Sequence, residues 1–346
     1  MTPRRPTVCV GVPVWRGAEY VGETLDSLLR QRGVALTLVV SVDGADEASV
    51  VACRPFLGDP RVAMIVQHHR LGWVGNSSAV LAHAASTGTD YACLQPYDDL
   101  LEEDYLAVLA AASEHHPAAA VVYSDIQGFG ADATLIRQAT VAGSPFERQL
   151  CLLREHFAAV PFRGLMRLST LHSIIPIAGN RCDDFAADTV WMARQALAGD
   201  LVRVPLVLYR KRYHATNTHV QWGTWPHKRR MTAWITHCLD MLAEALKATT
   251  VTSERRMLYE AALTRVMHRT AWTTPYQKDY VATSRLSRIG LGLRFVARAI
   301  VHPGIGPSMA TLRGRLQAMI ALQRRRRGGH DRNPSPAAED HYSRSA

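Results

Sequence analysis

Acidic and aromatic residues stand at the ends of several apolar runs in this sequence, where their side chains can act on a ligand. Asp43-Gly44 follows the apolar run 35–42, and Asp98-Asp99 comes shortly after the run 91–95. Pro13-Val14-Trp15 closes an earlier run. Carboxylate oxygens at such positions bind a hard divalent cation, accept hydrogen bonds from a polar ligand, or cap the helix that follows. Which of these they do depends on the elements that hold them.

Strands and helices alternate along most of the chain. Runs rich in β-branched residues predict buried strands, and apolar residues at helical spacing predict helices between them. The predicted strands are 8–14, 35–42, 61–66, 91–95, 119–124 and 201–209, and the predicted helices are 18–30, 76–86, 105–116, 145–160 and 189–198. This alternation predicts an α/β fold with a mostly parallel sheet covered by helices on both faces. Ligands of such open sheets bind outside the carboxyl ends of the strands, so the three polar strand ends are expected to meet at one site.

Several common sites are excluded by their missing patterns. The first turn contains Gly11 and Gly17 but no G-x-G-x-x-G, which disfavours a dinucleotide-binding domain, and no G-x-x-x-x-G-K-[ST] phosphate loop occurs. No G-x-S-x-G pattern supports a hydrolase nucleophile. The six cysteines are dispersed without a C-x-x-C pair, so neither a zinc ribbon nor a redox dithiol is predicted. The histidine pairs at 68–69 and 115–116 lack a nearby third ligand and are expected in surface turns.

The net charge of +10 is concentrated near the C-terminus. Residues 285–332 contain eleven arginines and one acidic residue, so residues 1–284 are nearly neutral. A nucleic-acid-binding domain would carry its basic charge on the fold itself, and no nucleic-acid partner is predicted. Apolar residues alternate with arginines at helical spacing over 286–301, which predicts an amphipathic helix. We expect peripheral contact with an anionic membrane through residues 285–327, and packing of the apolar stripe on the domain is an equal alternative.

The expected location is the cytoplasm, peripheral on the inner face of the cell membrane if the basic segment binds lipid. No run of about 18 apolar residues occurs, and the first residues do not form a signal peptide pattern. The chain is rich in arginine and alanine, which is typical of bacterial coding sequences with a high content of G and C.

Several motifs, in order over roughly residues 7–217, resemble those of the family-2 glycosyltransferases of the GT-A fold. The opening strand, Glu19-Tyr20-Val21 and the helix at 25–31 resemble the family's first strand and its "SLL-x-Q" helix. Asp43-Gly44-Ala45-Asp46 resembles the family's "DDGS-x-D" turn, and Leu71-Gly72-Trp73 with Asn76 resembles its "N-x-G…N" segment. Residues 96–106 resemble "D-x-DD…P-x-x-L", and residues 188–214 resemble the closing region "ED-x-x-W…G…VP…Y-R-x-H". Their order and spacing together make the resemblance specific.

This resemblance implies inverting transfer of a sugar from a nucleotide-diphosphate donor to an acceptor hydroxyl, in bacterial polysaccharide, glycolipid or natural-product biosynthesis. The donor nucleotide would contact Pro13, Val14, Trp15, Glu19, Asp43, Gly44, Asn76 and Asp98. Asp98 and His214 would hold Mn²⁺ or Mg²⁺, because a cation that bridges the diphosphate oxygens stabilises the charge of the leaving group. Asp188, by its place in the closing motif, would take the proton of the acceptor hydroxyl, with Asp183 and Asp184 as a nearby alternative pair.

Two positions depart from the family pattern. Pro96 stands where many relatives carry the first acid of D-x-D, and proline offers neither a ligand nor a hydrogen-bond donor. Ala187 replaces the glutamate that precedes the base in relatives. The alternative function is therefore a catalytically degenerate module that binds nucleotide or scaffolds a biosynthetic complex. A nucleotidyltransferase shares the fold class, but its glycine-rich, lysine-containing opening loop is absent here.

Each candidate residue also has a purely structural interpretation. Asp98-Asp99 and Asp188 could cap the helices that follow them, and Asp43 could close a turn with Gly44. His214 could be an exposed loop histidine. Trp15 and Trp191 could stack on a sugar or base, whereas Trp191 could equally be a buried core residue.

The expected organisation is a Rossmann-like GT-A domain over 1–217, with a nucleotide-sugar-binding half at 7–125 and an acceptor half at 126–217. A helical C-terminal extension follows over 218–323, where the pattern from 226 to 272 is wholly helical. The polar tail over 324–346 is expected to be disordered.

Overall fold

The computed structural model describes residues 4–155, 159–171, 174–267 and 285–305. The chain divides into two compact units, Met1–Arg298 and Ala299–Ala346. Within the described ranges, none of the helices combines the length and the apolar character that crossing a bilayer requires. The predicted disorder of 324–346 lies outside the described residues.

The described residues form nine strands and eleven α-helices. The strands are β1 (Thr7–Val14), β2 (Ala35–Val42), β3 (Val62–Val66), β4 (Tyr91–Leu94), β5 (Leu100–Leu101), β6 (Ala119–Gly130), β7 (Leu135–Ile136), β8 (Leu165–Arg167) and β9 (Asp200–Tyr213). The helices are α1 (Val21–Leu29), α2 (Glu47–Cys53), α3 (Gly72–Ser86), α4 (Tyr105–His115), α5 (Pro145–Arg154), α6 (Leu168–Leu171), α7 (Ala187–Ala198), α8 (Thr218–Gly223), α9 (His227–Ala245), α10 (Thr252–Met267) and α11 (Arg285–Val301). Single 3₁₀ turns occupy Asp43–Ala45, Arg54–Gly58, Val160–Arg163 and Leu246–Ala248.

All strands belong to one mixed sheet with the order β3-β2-β1-β4-β8-β6-β9-β5, and β7 pairs with β6. The pairs among β1 to β4 are parallel, as the sequence predicts. Beyond them the sheet is mixed, because β8 runs antiparallel to both β4 and β6, while β6 and β9 are parallel to each other. The expected α/β fold is therefore confirmed, with the parallel character concentrated in the first half of the sheet.

The parallel half of the sheet has an apolar core because its central strands are buried on both faces. Val8, Val10 and Val12 of β1 are completely buried. Gly11 lies where α3 crosses this strand, and a Cβ atom there would come within 2.7 Å of the Val80 side chain. The close approach of helix and strand needs a residue without a side chain, which holds α3 against the sheet.

Two predicted helices have different bounds in the structure. The helix predicted at 76–86 begins at Gly72, because the carboxylate of Asp43 accepts hydrogen bonds from the first free amides at 71 and 72. The helix predicted at 145–160 ends at Arg154, and a 3₁₀ turn follows from Val160. The helical pattern at 226–272 is confirmed by α9 and α10 as far as Met267, and residues 268–272 lie outside the described part.

The amphipathic stretch at 286–301 does form a helix, but a different face packs. Leu291 and Phe295 are each 2% exposed, and a Cβ atom at Gly292 would lie 2.8 Å from the Met267 sulfur. The first part of the predicted stripe is exposed, since Leu286 is 82% exposed and Leu293 is 66% exposed, whereas Val296 and Ile300 are half-buried. The helix therefore does pack, as the alternative expects, but mainly through Leu291 and Phe295, and Leu286 and Leu293 of the predicted stripe do not take part.

Candidate active site

The carboxyl ends of β2, β1 and β4 lie side by side, because these strands are neighbours in the sheet. The turn after β4 passes directly beneath the loop that follows β1, since a Cβ atom at Gly17 would lie 2.6 Å from the ring of Tyr97. The ring of Tyr20, at the end of the same loop, is 4.9 Å from the imidazole of His214. The strand ends therefore meet at one site, as expected, and the end of β9 joins them.

Asp98 and His214 are in contact although 116 residues separate them. The distance from Asp98 Oδ2 to His214 Nε2 is 2.8 Å, and each side chain is 12% exposed. Asn217 completes the group, because its Nδ2 donates to Asp98 Oδ2 at 3.1 Å and lies 2.8 Å from His214 Nε2. On its other side, His214 Nδ1 lies 2.8 Å from the Thr216 hydroxyl, which orients the ring.

This group fits a divalent cation. A carboxylate oxygen and an imidazole nitrogen, each with a polar neighbour that fixes its direction, form a partial ligand set. Among the described residues, no three His, Cys, Asp or Glu side chains converge on one point. A cation held here therefore needs further oxygen ligands from a bound anion or from water.

Asp99, the neighbour of Asp98, is used by the fold. It is 1% exposed and accepts three hydrogen bonds, from the Tyr209 hydroxyl at 2.7 Å, the Arg212 amide at 2.8 Å and Arg163 Nε at 3.2 Å. Burial and the charge of Asp98 raise the pKa of Asp99, while Arg163 and Tyr209 oppose this shift. The bonds from Tyr209 and Arg212 fasten the turn after β4 to β9, and the bond from Arg163 ties it to the 3₁₀ turn Val160–Arg163.

The capping interpretation of Asp98-Asp99 is wrong. The helix that follows, α4, begins at Tyr105, and Asp104 occupies its N-cap. Both acids therefore lie well before the helix, and their carboxylates bond to β9 and to the segment after it. Asp98 is left as the acid that a ligand can reach.

Asp188 stands in the first turn of α7, which begins one residue earlier, at Ala187. Its Oδ1 accepts a hydrogen bond from the Thr189 amide at 2.8 Å. Burial raises the pKa of Asp188. The hydrogen bond from the Thr189 amide and the charges of Arg163 and Lys211 lower it, in this order of size. The carboxyl group thus lies within the electrostatic reach of Arg163, the cation that also holds Asp99.

The acids at the β2 end hold the neighbouring loops. Asp43 is 1% exposed, and its two oxygens accept from the amides of Leu71 at 2.6 Å and Gly72 at 3.0 Å. Each oxygen retains a lone pair that could accept from a ligand. Asn76 is buried, and both atoms of its amide bond to Ser41, at 2.6 and 2.9 Å, which ties α3 to β2. The structure does not bring the polar atoms of Asn76 to the site.

The β1 end supplies an aromatic surface. Trp15 is half-buried, with the guanidinium of Arg70 at 4.3 Å and that of Arg16 at 5.2 Å from its ring. Val14 is completely buried and Pro13 is half-buried. Gly44 packs against the backbone of Arg70, where a Cβ atom would lie 3.3 Å from its Cα. Trp15, Arg70 and Gly44 therefore share one corner of the site.

The remaining candidates have structural partners. Glu19 is exposed, and its hydrogen bond with Tyr20 raises the pKa of that tyrosine. Asp183 pairs with Arg229 on the surface, and Asp184 accepts from the Asn180 amide at 2.8 Å. Trp191 is 1% exposed and donates to the Ile174 carbonyl at 3.1 Å, in agreement with a core role. The exposed histidines at 68–69 are in a surface turn, as expected.

Sequence reasoning missed three residues of this site: Asn217, Arg163 and Lys211. Asn217 and Arg163 belong to segments in which no motif was recognised. Lys211 lies inside the closing motif, and the two-residue period of a strand would have placed it on the face of Tyr209. That period is the only signal that could have found it.

Comparisons with known proteins agree with this geometry. Residues 9–174 match the family model of glycosyl transferase family 2. Glycosyltransferase GlyA of Streptococcus pneumoniae serotype 4 is 29% identical over 107 residues, which cover 30% of this chain and 14% of that relative. The fold and the match together indicate a GT-A domain. The match over residues 9–174 confirms the resemblance of the motifs to this family.

Two solved structures share the fold. Staphylococcus aureus TarS 1-349 in complex with UDP superposes with a TM-score of 0.56 and 15% identity, over 76% of this chain and 72% of that chain. The mannosyltransferase PcManGT from Pyrobaculum calidifontis, in complex with GDP-Man and Mn²⁺, superposes with a TM-score of 0.53 and 15% identity, over 91% of this chain and 81% of that chain.

Exchange of Asp99 for alanine tests whether Asp99 stabilises the fold while its neighbour Asp98 contributes little to stability. Asp99→Ala leaves Arg163 and the Tyr209 hydroxyl buried without their partner, and we expect a loss of about 3 kcal/mol in the free energy of unfolding. Asp98→Ala is the matched control and should cost less than about half as much, because His214 keeps the Thr216 hydroxyl as a partner and Asn217 keeps His214. Urea denaturation followed by circular dichroism measures both. Equal losses in the two variants would contradict the assignment.

Proposed function

We propose that this protein transfers a sugar from a nucleotide-diphosphate donor to an acceptor hydroxyl, with inversion at the anomeric carbon. The observation that carries the proposal is the contact of Asp98 with His214 at the joined ends of β4 and β9. A cation-binding pair at that edge lies where a donor diphosphate would need charge stabilisation. The match to glycosyl transferase family 2 supports the reaction class.

Asp98 and His214 are the proposed ligands of a divalent cation. When bound, the cation supplies electrostatic stabilisation of the charge that develops on the leaving diphosphate. The imidazole favours Mn²⁺ over Mg²⁺, because Mg²⁺ prefers a shell of oxygen atoms. Asn217 and Thr216 hold the two ligands in position. The Pyrobaculum mannosyltransferase, whose structure contains GDP-Man and Mn²⁺, supports this cofactor.

Asp188 is the proposed general base. Inversion needs one base on the face opposite the leaving group, and a carboxyl group whose pKa is raised by burial is a better proton acceptor than an exposed one. Its place in the first turn of α7, within the reach of Arg163, supports this role. Ala187 adds no second carboxylate, so Asp188 would act alone.

Pro96 does not favour the degenerate alternative. Its carbonyl accepts the Asp99 amide at 3.4 Å, so the turn that presents Asp98 is kept without the first acid of D-x-D. Asp98, His214 and Asp188 all retain the groups that transfer requires. Active transfer is therefore the better proposal.

The donor base and sugar are proposed only as a class. The related structures contain UDP or UDP-GlcNAc in TarS and GDP-Man in PcManGT, so the bases of these proteins differ. The Trp15 and Arg70 corner offers this chain an aromatic surface on which either base could stack. A bacterial polysaccharide, glycolipid or natural product remains the proposed kind of acceptor.

Release of nucleoside diphosphate from UDP-, GDP- and dTDP-sugars, with Mn²⁺, Mg²⁺ or chelator, tests the proposal. We expect metal-dependent release from one donor, lowered at least about 100-fold by Asp98→Ala and by Asp188→Asn, because each removes a group that acts in the transition state. Asp104→Ala, which changes an exposed acid a few residues away, is the control and should keep wild-type activity. If Asp98→Ala releases nucleoside diphosphate at the same rate as the wild type, the proposed site is contradicted.

For location, we propose a peripheral contact of α11 with an anionic bilayer. Leu286, Ile289 and Leu293 recur at spacings of three and four residues, so they share a face of the helix, and all three are exposed. The exposed residues Arg294 and Arg298 lie four apart beside this face. Apolar side chains next to arginines suit a surface of acyl chains and anionic headgroups, to which each arginine adds about 1 kcal/mol.

Co-sedimentation of the full chain with vesicles tests this contact. We expect binding to vesicles that contain phosphatidylserine, none to pure phosphatidylcholine, and at least an about fivefold lower bound fraction for Ile289→Asp combined with Leu293→Asp. Val251→Asp, at an exposed apolar residue outside α11, is the control. If the double variant binds vesicles as well as the wild type does, the exposed face of α11 does not contact the membrane. A change of oligomeric state in gel filtration without loss of vesicle binding would instead assign this face to a contact between copies of the chain.

A further inference from the structure

Asn217 contacts both proposed metal ligands. Its Nδ2 donates to Asp98 Oδ2 at 3.1 Å and lies 2.8 Å from His214 Nε2, and these two ligand atoms are themselves 2.8 Å apart. Three polar atoms from two separate segments of the chain thus form a closed triangle. Asn217 is 9% exposed, so solvent has little access to its side of the triangle.

The side chain of Asn217 is turned away from the task that its position in the chain would give it. Asn217 is the N-cap residue of α8, where asparagine is favoured because its side-chain oxygen accepts from the amides of the first turn. As the structure describes α8, its N-cap side chain makes no such bond. The oxygen accepts instead from the His214 amide at 2.9 Å, which turns the side chain toward the site.

This bond fixes which way the amide group of Asn217 points. The oxygen has to face the N–H of His214, because the amide nitrogen would otherwise bring a second donor to the same place. The nitrogen is therefore left facing Asp98 and the imidazole, and there it can only donate. The orientation follows from the hydrogen bonds alone.

The triangle limits where a neutral His214 ring can carry its single proton. A proton on Nε2 would donate to Asp98 Oδ2 but would meet the N–H groups of Asn217. A proton on Nδ1 would donate to the Thr216 hydroxyl at 2.8 Å, and Nε2 would then accept from Asn217. Which nitrogen carries the proton is set by the hydrogen bonds that the two nitrogens make.

Each arrangement leaves one unfavourable contact, and the two contacts differ in what relieves them. With the proton on Nε2, two donors face each other, and a cation would have to displace that proton before it could bind. With the proton on Nδ1, a carboxylate oxygen and an imidazole nitrogen face each other as two acceptors, which is the pairing that a divalent cation stabilises. Only the second arrangement suits the proposed metal site.

We propose that Asn217 is a positioning residue that keeps the proton of His214 on Nδ1, so that Nε2 offers a lone pair to a cation. This inference rests on the proposed function, which makes Asp98 and His214 the metal ligands. It goes beyond a role in holding the loop. Holding the loop needs only the side-chain oxygen of Asn217, whereas this role needs the N–H groups of its nitrogen.

NMR of the metal-free full chain, labelled with ¹⁵N at histidine, tests the position of the proton. We expect Nδ1 to be protonated in the wild type, with the signal assigned by its loss in His214→Ala. Asn217→Asp keeps an oxygen for the His214 amide but replaces the N–H groups by an acceptor, and it should move the proton to Nε2. Ala215→Ser, at an exposed residue of the same turn, is the matched control and should resemble the wild type.

A wild-type ring that is protonated on Nε2 or on both nitrogens would overturn the proposal. The same holds if Asn217→Asp leaves the proton on Nδ1, because Asn217 would then only hold the loop. Both results concern the protein without metal, so they leave the proposed function intact.

Electron paramagnetic resonance of Mn²⁺, added with UDP or GDP, tests the consequence for the site. Asn217→Leu, which is similar in size but cannot donate, should weaken Mn²⁺ binding by about 10- to 100-fold, the usual effect of losing a group that orients a metal ligand. Ala215→Ser should bind as the wild type does.

The outcomes separate this inference from the proposed function. Equal Mn²⁺ affinity of Asn217→Leu and the wild type would overturn the role of Asn217, while a loss of binding in Asp98→Ala would still support the metal site. A wild-type protein that binds no Mn²⁺ with either diphosphate would overturn the metal site and this inference together. If Asn217→Leu has a much lower Tm by circular dichroism, the NMR result for Asn217→Asp decides.

Discussion

The contact between the turn after β4 and the end of β9 is the constraint on which the site depends. Asp99 holds it from the buried side with two hydrogen bonds from β9, and Asp98 holds it through His214 and Asn217. The two adjacent carboxylates thus have different roles. Both oxygens of Asp99 are bonded to the fold, which leaves little capacity for a ligand. The bonds of Asp99 fix the turn that carries Asp98, the acid that we propose as a cation ligand.

Polar side chains also hold the loops in place at the end of β2. Asp43 holds the start of α3 through the amides of Leu71 and Gly72, and Asn76 fastens that helix to β2. These residues of the family motifs give the loops their positions, and the proposed donor surface consists of Trp15, Arg70 and the Asp98–His214 pair. Motif residues can therefore matter for function through the loop that they hold.

The sequence predicts the parallel half of the sheet well because β1 and β2 are long, β-branched and buried on both faces. It misses β5, β7 and β8, which have two or three residues each and therefore show no period. The pairing of Asp98 with His214 could be anticipated only from the ordered motifs, since 116 residues separate the two. Arg163 and Asn217 reach the site through tertiary packing, which local patterns do not record. The face of α11 was misjudged because Leu291 and Phe295 form a second apolar stripe.

The central claim is that Asp98 and His214 form a cation site whose remaining ligands come from a nucleoside diphosphate. Titration of Mn²⁺ into the protein, followed by electron paramagnetic resonance with and without UDP or GDP, tests it most directly. The account predicts weak binding of Mn²⁺ alone, tighter binding with one of the diphosphates, and loss of this gain in both Asp98→Ala and His214→Ala. Tight Mn²⁺ binding that survives both substitutions, or a diphosphate affinity that does not respond to the metal, would contradict it.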